Sequence, residues 1–284
     1  MVAVFQNLKA ANQADVALDY RVQGGGEPLV LLHSLGGSAG DWSEHMTALA
    51  SRYRVIAPSL RGFGDSQKPD GPMTIMQYAD DVIGVLDELN IVRAHVLGHS
   101  MGGAVALQLA VAYPERLNSL IVINSQASFQ LRDWRRYLVV LMRFLAGGSP
   151  DMARLSRFLA RRVFPEDHQR DLRAKMQDRF SRNDHRAWRA AIDALAGWSV
   201  EDLVDKVATP TLVVAGEHDV TPVEQARAFA DRLPQGELHV VPNSGHATPF
   251  DQQDTVIKLV FGFLATSSWG RQTSRTDRRR TARS

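Results

Sequence analysis

His95-Val96-Leu97-Gly98-His99-Ser100-Met101-Gly102-Gly103 is the stretch that decides the fold. It reads as a short apolar strand, a glycine-bounded G-x-S-x-G turn and the opening of a helix that runs on to Tyr113. A serine in that turn stands at a helix N-terminus, where free backbone N–H groups and the helix dipole favour developing negative charge. The small residues around it let strand and helix approach closely, so the hydroxyl is held clear as a nucleophile. The competing reading is an N-cap serine in an ordinary glycine-rich turn. The rest of the chain decides between the two.

Outward from this stretch, short runs rich in Val, Ile and Leu alternate with longer segments of helical period. Strands are expected at Val16–Val22, Leu29–His33, Arg54–Ala57, His95–Leu97, Ser119–Ile123, Thr211–Ala215 and Glu237–Val241. Runs such as Leu29-Val30-Leu31-Leu32 and Leu120-Ile121-Val122-Ile123 are apolar throughout, as strands buried on both faces of a parallel sheet are. Helices are expected near 42–50, 75–90, 101–113, 223–232 and 253–264. The alternation predicts an α/β fold, a doubly wound, mostly parallel sheet. Residues 127–206 interrupt it: their apolar residues follow helical spacing and no strand candidate appears, so an all-helical insertion is expected. The core is then residues 1–126 and 207–265, and 266–284 form a basic, solvated tail.

A serine hydroxyl is a weak nucleophile until a base takes its proton. The base should stand on a loop after a late strand, and His246 in Pro242-Asn243-Ser244-Gly245-His246 does. His99 should diverge from Ser100, its chain neighbour. His95 and His239 fall in strands and are expected to pack. His45, His168 and His185 fall in helices and are expected at the surface. The base needs an acid to hold its tautomer and stabilise the imidazolium. The loop Gly216-Glu217-His218-Asp219 offers Asp219, with Glu217 as its rival, whereas the end of the preceding strand holds Asn124, which cannot ionise. Acyl transfer also needs donors for a tetrahedral oxyanion. The backbone N–H of Met101 is one candidate, and Leu35 N–H in His33-Ser34-Leu35-Gly36-Gly37 is the other.

Composition narrows the alternatives. The chain has 284 residues, 44% hydrophobic and 23% charged, as in an ordinary globular protein. It has no cysteine, which excludes disulfides, thiolate metal sites and a Cys nucleophile. No histidine cluster or ligand spacing suggests a metal, and no G-x-G-x-x-G suggests a dinucleotide, so no cofactor is expected. The pI of about 9.0 misleads. The whole chain is +2, and residues 266–284 carry six arginines against one aspartate, which leaves −3 for residues 1–265. No nucleic-acid partner is therefore expected. Nothing approaches a membrane span, the N-terminus shows no signal peptide, and the expected location is the cytoplasm.

The chain resembles the α/β-hydrolase family. The resemblance runs from about residue 16 to 265, outside most of 127–206. It rests on His33-Ser34-Leu35-Gly36-Gly37, Arg61-Gly62-Phe63-Gly64-Asp65-Ser66, the Ser100 turn, Gly216-Glu217-His218-Asp219 and Ser244-Gly245-His246. It implies a triad Ser100, Asp219, His246, a helical cap at 127–206 and no cofactor. Ser34 departs from the family's usual glycine. The H-S-L-G form, Trp42 and Pro210-Thr211-Leu212-Val213-Val214-Ala215-Gly216 are similar to 3-oxoadipate enol-lactonases. The implied activity is hydrolysis of a small carboxylic ester or lactone. The alternatives are a C–C bond hydrolase or thioesterase on the same triad, or a small-molecule receptor of the same fold. Trp134, Trp188 and Trp198 are candidates for an apolar pocket beneath the cap, with packing as the competing reading. Arg61 is a candidate for a substrate carboxylate, against a structural ion pair.

Overall fold

The computed structural model describes residues 6–9 (as backbone), 16–130 and 151–266. Trp134 and residues 267–284 lie outside them. Eight strands form one sheet: β1 (Gln6–Lys9), β2 (Asp19–Gln23), β3 (Glu27–Leu32), β4 (Tyr53–Pro58), β5 (Ala94–His99), β6 (Leu117–Ile123), β7 (Thr211–Gly216) and β8 (Gly236–Val241). Their order is β1-β2-β4-β3-β5-β6-β7-β8. The pairs β1–β2 and β2–β4 are antiparallel, and the other five are parallel.

Because successive side chains point to opposite faces, the apolar strands feed two cores at once. Val30, Leu32, Val96, Leu120, Val122 and Val213 face one core. Helices α2 (Ile75–Glu88), α3 (Met101–Ala112) and α7 (Val223–Arg232) cover that side. Leu29, Leu31, Leu97, Ile121, Ile123 and Val214 face the other core, beneath α1 (Ser43–Leu49) and α8 (Gln253–Thr266). Each fully buried aliphatic side chain contributes about 1.5–3 kcal/mol. The sheet is held from both faces, so its strand ends are fixed points.

From β3 the chain turns first to β4 on one side and then to β5 on the other. A crevice opens outside the carboxyl ends where winding reverses. Between β6 and β7 lie α4 (Met152–Val163), α5 (Arg170–Ser181) and α6 (His185–Ala196), with short 3-10 turns at Asp167–Gln169 and Glu201–Lys206. Asp151 and Asp184 cap α4 and α6 through their side chains. The two ends of this segment are tied by an isolated antiparallel bridge, Ser128 to Ser199. Phe129 N–H donates to Trp198 O at 3.0 Å and Val200 N–H to Ala127 O at 2.8 Å.

Candidate active site

Ser100 joins β5 to α3 with φ 54° and ψ −114°. A positive φ on a non-glycine residue stores on the order of 1–3 kcal/mol, so its surroundings must enforce it. The Ser100 N–H donates to Ile123 O of β6 at 2.9 Å. A Cβ at Gly98 would collide with the Gly102 carbonyl, so only glycine lets α3 turn this tightly off β5. The hydroxyl therefore stands at the carboxyl edge of the sheet, beside the first free N–H groups of α3.

His246 follows β8, and its loop is pinned from several directions. Ser244 Oγ donates to Asp251 at 2.7 Å, Thr248 Oγ1 to Gly245 O at 3.1 Å, and Asn124 Nδ2 to Gly245 O at 3.1 Å. Held this way, His246 places Nε2 2.9 Å from Ser100 Oγ and Nδ1 2.8 Å from Asp219 Oδ1. A carboxylate only accepts, so Nδ1 carries the proton and Nε2 is free to accept from the serine. Asp219 is buried, its side chain 2% exposed. Burial pushes the His246 imidazole down, but the Asp219 charge and hydrogen bond outweigh it and hold it above the ordinary histidine value. Burial likewise raises Asp219, and His246, Asn124 and the Val220 N–H reverse that and keep the carboxyl below its usual range.

Of the two carboxylates on this loop, Glu217 turns the other way. It accepts from the Asn243 N–H at 2.9 Å and shapes the turn before His246. Asn124, which the sequence could read only as unable to ionise, braces Asp219 and the Gly245 carbonyl together. An Asn directly after the apolar run Leu120–Ile123 was the signal available for it, and in the structure that Asn takes a left-handed φ of 49°.

The turn Ser34–Gly37 lies opposite. Its Ser34 carbonyl accepts from the Gly37 N–H at 2.9 Å and from His33 Nδ1 at 2.8 Å. The other ring nitrogen of His33 accepts from the Leu60 N–H at 2.8 Å, which fixes the tautomer. Burial pushes His33 down to about 4, so it stays neutral. The Ser34 carbonyl and the Leu35 N–H belong to one planar trans peptide and point in opposite directions. Anchoring the carbonyl therefore aims the N–H. Leu35, Ser100 and His246 all line one cavity of about 370 Å³, which is lined also by Leu159 and Val163 of α4, Met176 and Phe180 of α5, and Trp188 of α6.

The remaining candidates fall elsewhere. His99 diverges from Ser100 as expected, donating from Nε2 to His246 O at 2.7 Å, and burial pushes it down to about 3. His95 packs between Ser119 Oγ (2.7 Å) and Glu27 (3.1 Å). His45 corrects the surface expectation: it is buried beside Trp42 and Phe250, because α1 turns the face of His45 and Leu49 inward. His239 corrects the packing expectation: β8 is an edge strand, and its alternate residues face solvent. Trp198 does not line the cavity; its indole N–H donates to Gln108 at 2.8 Å and its ring packs on Phe129. Arg61 forms a two-pronged pair with Asp81, at 2.5 and 2.6 Å, with both side chains buried. Among the described residues no cluster of three or more metal-ligating side chains exists, and no helix is long and apolar enough to cross a membrane.

A serine turn at the sheet's switch point, with a histidine and a buried carboxylate on later strand ends, is an arrangement that hydrolases of α/β architecture share. The family model for the alpha/beta hydrolase fold matches residues 27–253, and the chain belongs to that family. Among its relatives, 2-hydroxymuconate semialdehyde hydrolase of Pseudomonas sp. (strain CF600) is 29% identical over 268 residues, 89% of this chain and 92% of that protein. Pimeloyl-[acyl-carrier protein] methyl ester esterase of Aeromonas hydrophila subsp. hydrophila is 32% identical over 252 residues, 85% of this chain and 96% of that protein. The crystal structure of the enol-lactonase from Burkholderia xenovorans LB400 superposes with TM-score 0.82 at 27% identity, covering 91% of this chain and all of that one.

Proposed function

We propose that the protein is a serine hydrolase that cleaves a small carboxylic ester or lactone through an acyl-enzyme. The observation that carries this reading is the continuous chain of contacts from Ser100 Oγ through His246 to Asp219, at 2.9 and 2.8 Å. Ser100 Oγ attacks the carbonyl carbon as His246 Nε2 takes its proton, and the Asp219 carboxylate stabilises the imidazolium that forms. The N–H groups of Leu35 and Met101 receive the oxyanion. His246 then returns the proton to the leaving alcohol and activates a water for deacylation. The helical segment over the sheet serves as the cap, with Trp188 as part of the substrate wall. Lactone and ester substrates are favoured by the likeness to the enol-lactonase and the methyl ester esterase. A C–C bond hydrolase on the same three residues is the second reading, favoured by the likeness to the semialdehyde hydrolase.

A turnover screen over short esters, lactones and ring-cleavage diketones tests the choice, with Ser100→Ala run beside the wild type. Ester or lactone turnover that vanishes in Ser100→Ala is the expected result. Turnover confined to diketones would replace the first reading with the second. Binding of small esters without release of product would make the protein a receptor.

A further inference from the structure

The turn that carries Leu35 is held from two sides, and only one of them belongs to the sheet. From below, His33 and the Gly37 N–H fix the Ser34 carbonyl. From above, the end of α5 and the residues after it reach down onto Gly36 and the residues that follow it. Asn183 Nδ2 donates to the Gly36 carbonyl at 2.8 Å. The Phe180 ring lies directly on Gly36, which has φ +78°, and a Cβ there would come within 2.6 Å of the ring. Immediately before Phe180 on α5, Arg179 pairs with Asp41, whose other oxygen accepts from the Ser38 N–H at 3.2 Å. Lys175 pairs with Glu44 at 3.0 Å on the exposed rim, where such a pair contributes little. The contacts of residues 179, 180 and 183 thus fall on residues 36–41, some 140 positions away in sequence.

We propose that Asn183 is a positioning residue for hydrolysis: the cap, through Asn183 with Phe180 beside it, completes the oxyanion site by locking the Ser34–Gly37 turn. The inference rests on the serine-hydrolase reading above. Asn183 does not line the cavity, so it has no substrate contact to lose. Its hydrogen bond fixes the Gly36 peptide, and with Gly36 held, the closing bond from Gly37 N–H to Ser34 O keeps its geometry. That bond helps aim the Leu35 N–H. Oxyanion donors act on the transition state far more than on the bound ester, so a loosened turn lowers kcat and leaves KM nearly unchanged. The cap in this account does more than enclose substrate, since its seating sets the competence of the donor site.

The test compares Asn183→Asp and Asn183→Ala with the wild type on one short ester. Asn183→Asp keeps the shape but sets a carboxylate oxygen against the Gly36 carbonyl, whereas Asn183→Ala leaves that carbonyl to water. Losing a whole oxyanion donor costs about 10²–10³ in kcat, so a displaced one should cost roughly tenfold or more in Asn183→Asp and less in Asn183→Ala. KM should stay within about twofold of wild type, as uniform binding is untouched. Affinity for an alkyl boronic acid, whose adduct on Ser100 mimics the tetrahedral state, should fall by the same factor as kcat. Affinity for the carboxylic acid product should not change. If Asn183→Asp fails to fold, Asn183→Ala is judged by the same criteria. Wild-type kcat and boronate affinity in a folded variant, or a rise in KM alone, would overturn the proposal. Should Ser100→Ala itself turn over normally, the underlying hydrolase reading fails first; if it is dead while Asn183→Asp is normal, only the role of Asn183 falls.

Discussion

Three side chains carry the proposed chemistry, and the choice between two acids for one histidine shows how local geometry decides it. Asp219 and Glu217 stand two residues apart, but only Asp219 is buried against His246, while Glu217 spends its carboxylate on the Asn243 N–H. Asp219→Asn keeps the size and offers an N–H to the imidazole, which favours the wrong tautomer. A kcat loss on the order of 10⁴ is expected, by analogy with the serine-protease case, against less than about tenfold for Glu217→Gln. The reverse order would reassign the acid. The pH profile gives a second check. His246 must be neutral to accept a proton, and Asp219 holds its imidazole above the ordinary 6.5. Activity should therefore fall with acidification from a midpoint above that value, because the raised group protonates early. In Asp219→Asn the charge is gone and the residual activity should persist to lower pH. A midpoint that stays in place would separate His246 from the limb.

Elements bring those residues together, and their legibility follows burial. β3, β6 and β7 were readable because a strand buried on both faces carries a continuous apolar run (Leu29–Leu32, Leu120–Ile123, Leu212–Ala215), and β5 because Val96-Leu97 leads straight into the glycine-bounded turn. β1 was not: it is an edge strand of four residues whose sequence, Gln6-Asn7-Leu8-Lys9, lacks any apolar run. The same edge effect exposes His239 on β8, and helical periodicity in a seven-residue helix was too short to show that His45 faces inward. Ser100, His246 and Asp219 were legible because each stands next to a readable strand. The bracing by Asn124 and Asn183 was not, because each acts on a backbone carbonyl distant in sequence. At this scale His33 predicts a measurable effect. His33→Phe removes the donor to Ser34 O and strands the buried Leu60 N–H, so kcat should drop about tenfold or more and stability by about 1–3 kcal/mol. Unchanged kcat would mean that the turn needs no anchor from below. Arg61 predicts the opposite pattern. Asp81→Ala leaves its guanidinium buried without a partner and should destabilise the fold by about 3–5 kcal/mol in urea titrations, with kcat/KM of the folded protein unchanged. A kinetic loss without a stability loss would return Arg61 to the substrate.

Over the whole molecule, a rigid sheet and a helical segment divide the work. The sheet presents Ser100, Asp219 and His246 on the ends of β5, β7 and β8, and strand packing fixes their separation. The segment between β6 and β7 roofs the cavity with Leu159, Met176, Phe180 and Trp188 and also reaches the Ser34–Gly37 turn. On the proposed function, substrate choice and oxyanion competence would meet in one layer, whereas Ser100 belongs to the other. On the proposed mechanism, Ser100 becomes acylated during turnover. The direct measurement is the intact and peptide mass of enzyme quenched in acid while turning over a p-nitrophenyl ester with a slowly hydrolysed acyl group. One added acyl group is expected, on the peptide containing Ser100, formed in a burst equal to the enzyme concentration and absent from Ser100→Ala. An acyl group on another residue, or full turnover by Ser100→Ala, would contradict that mechanism.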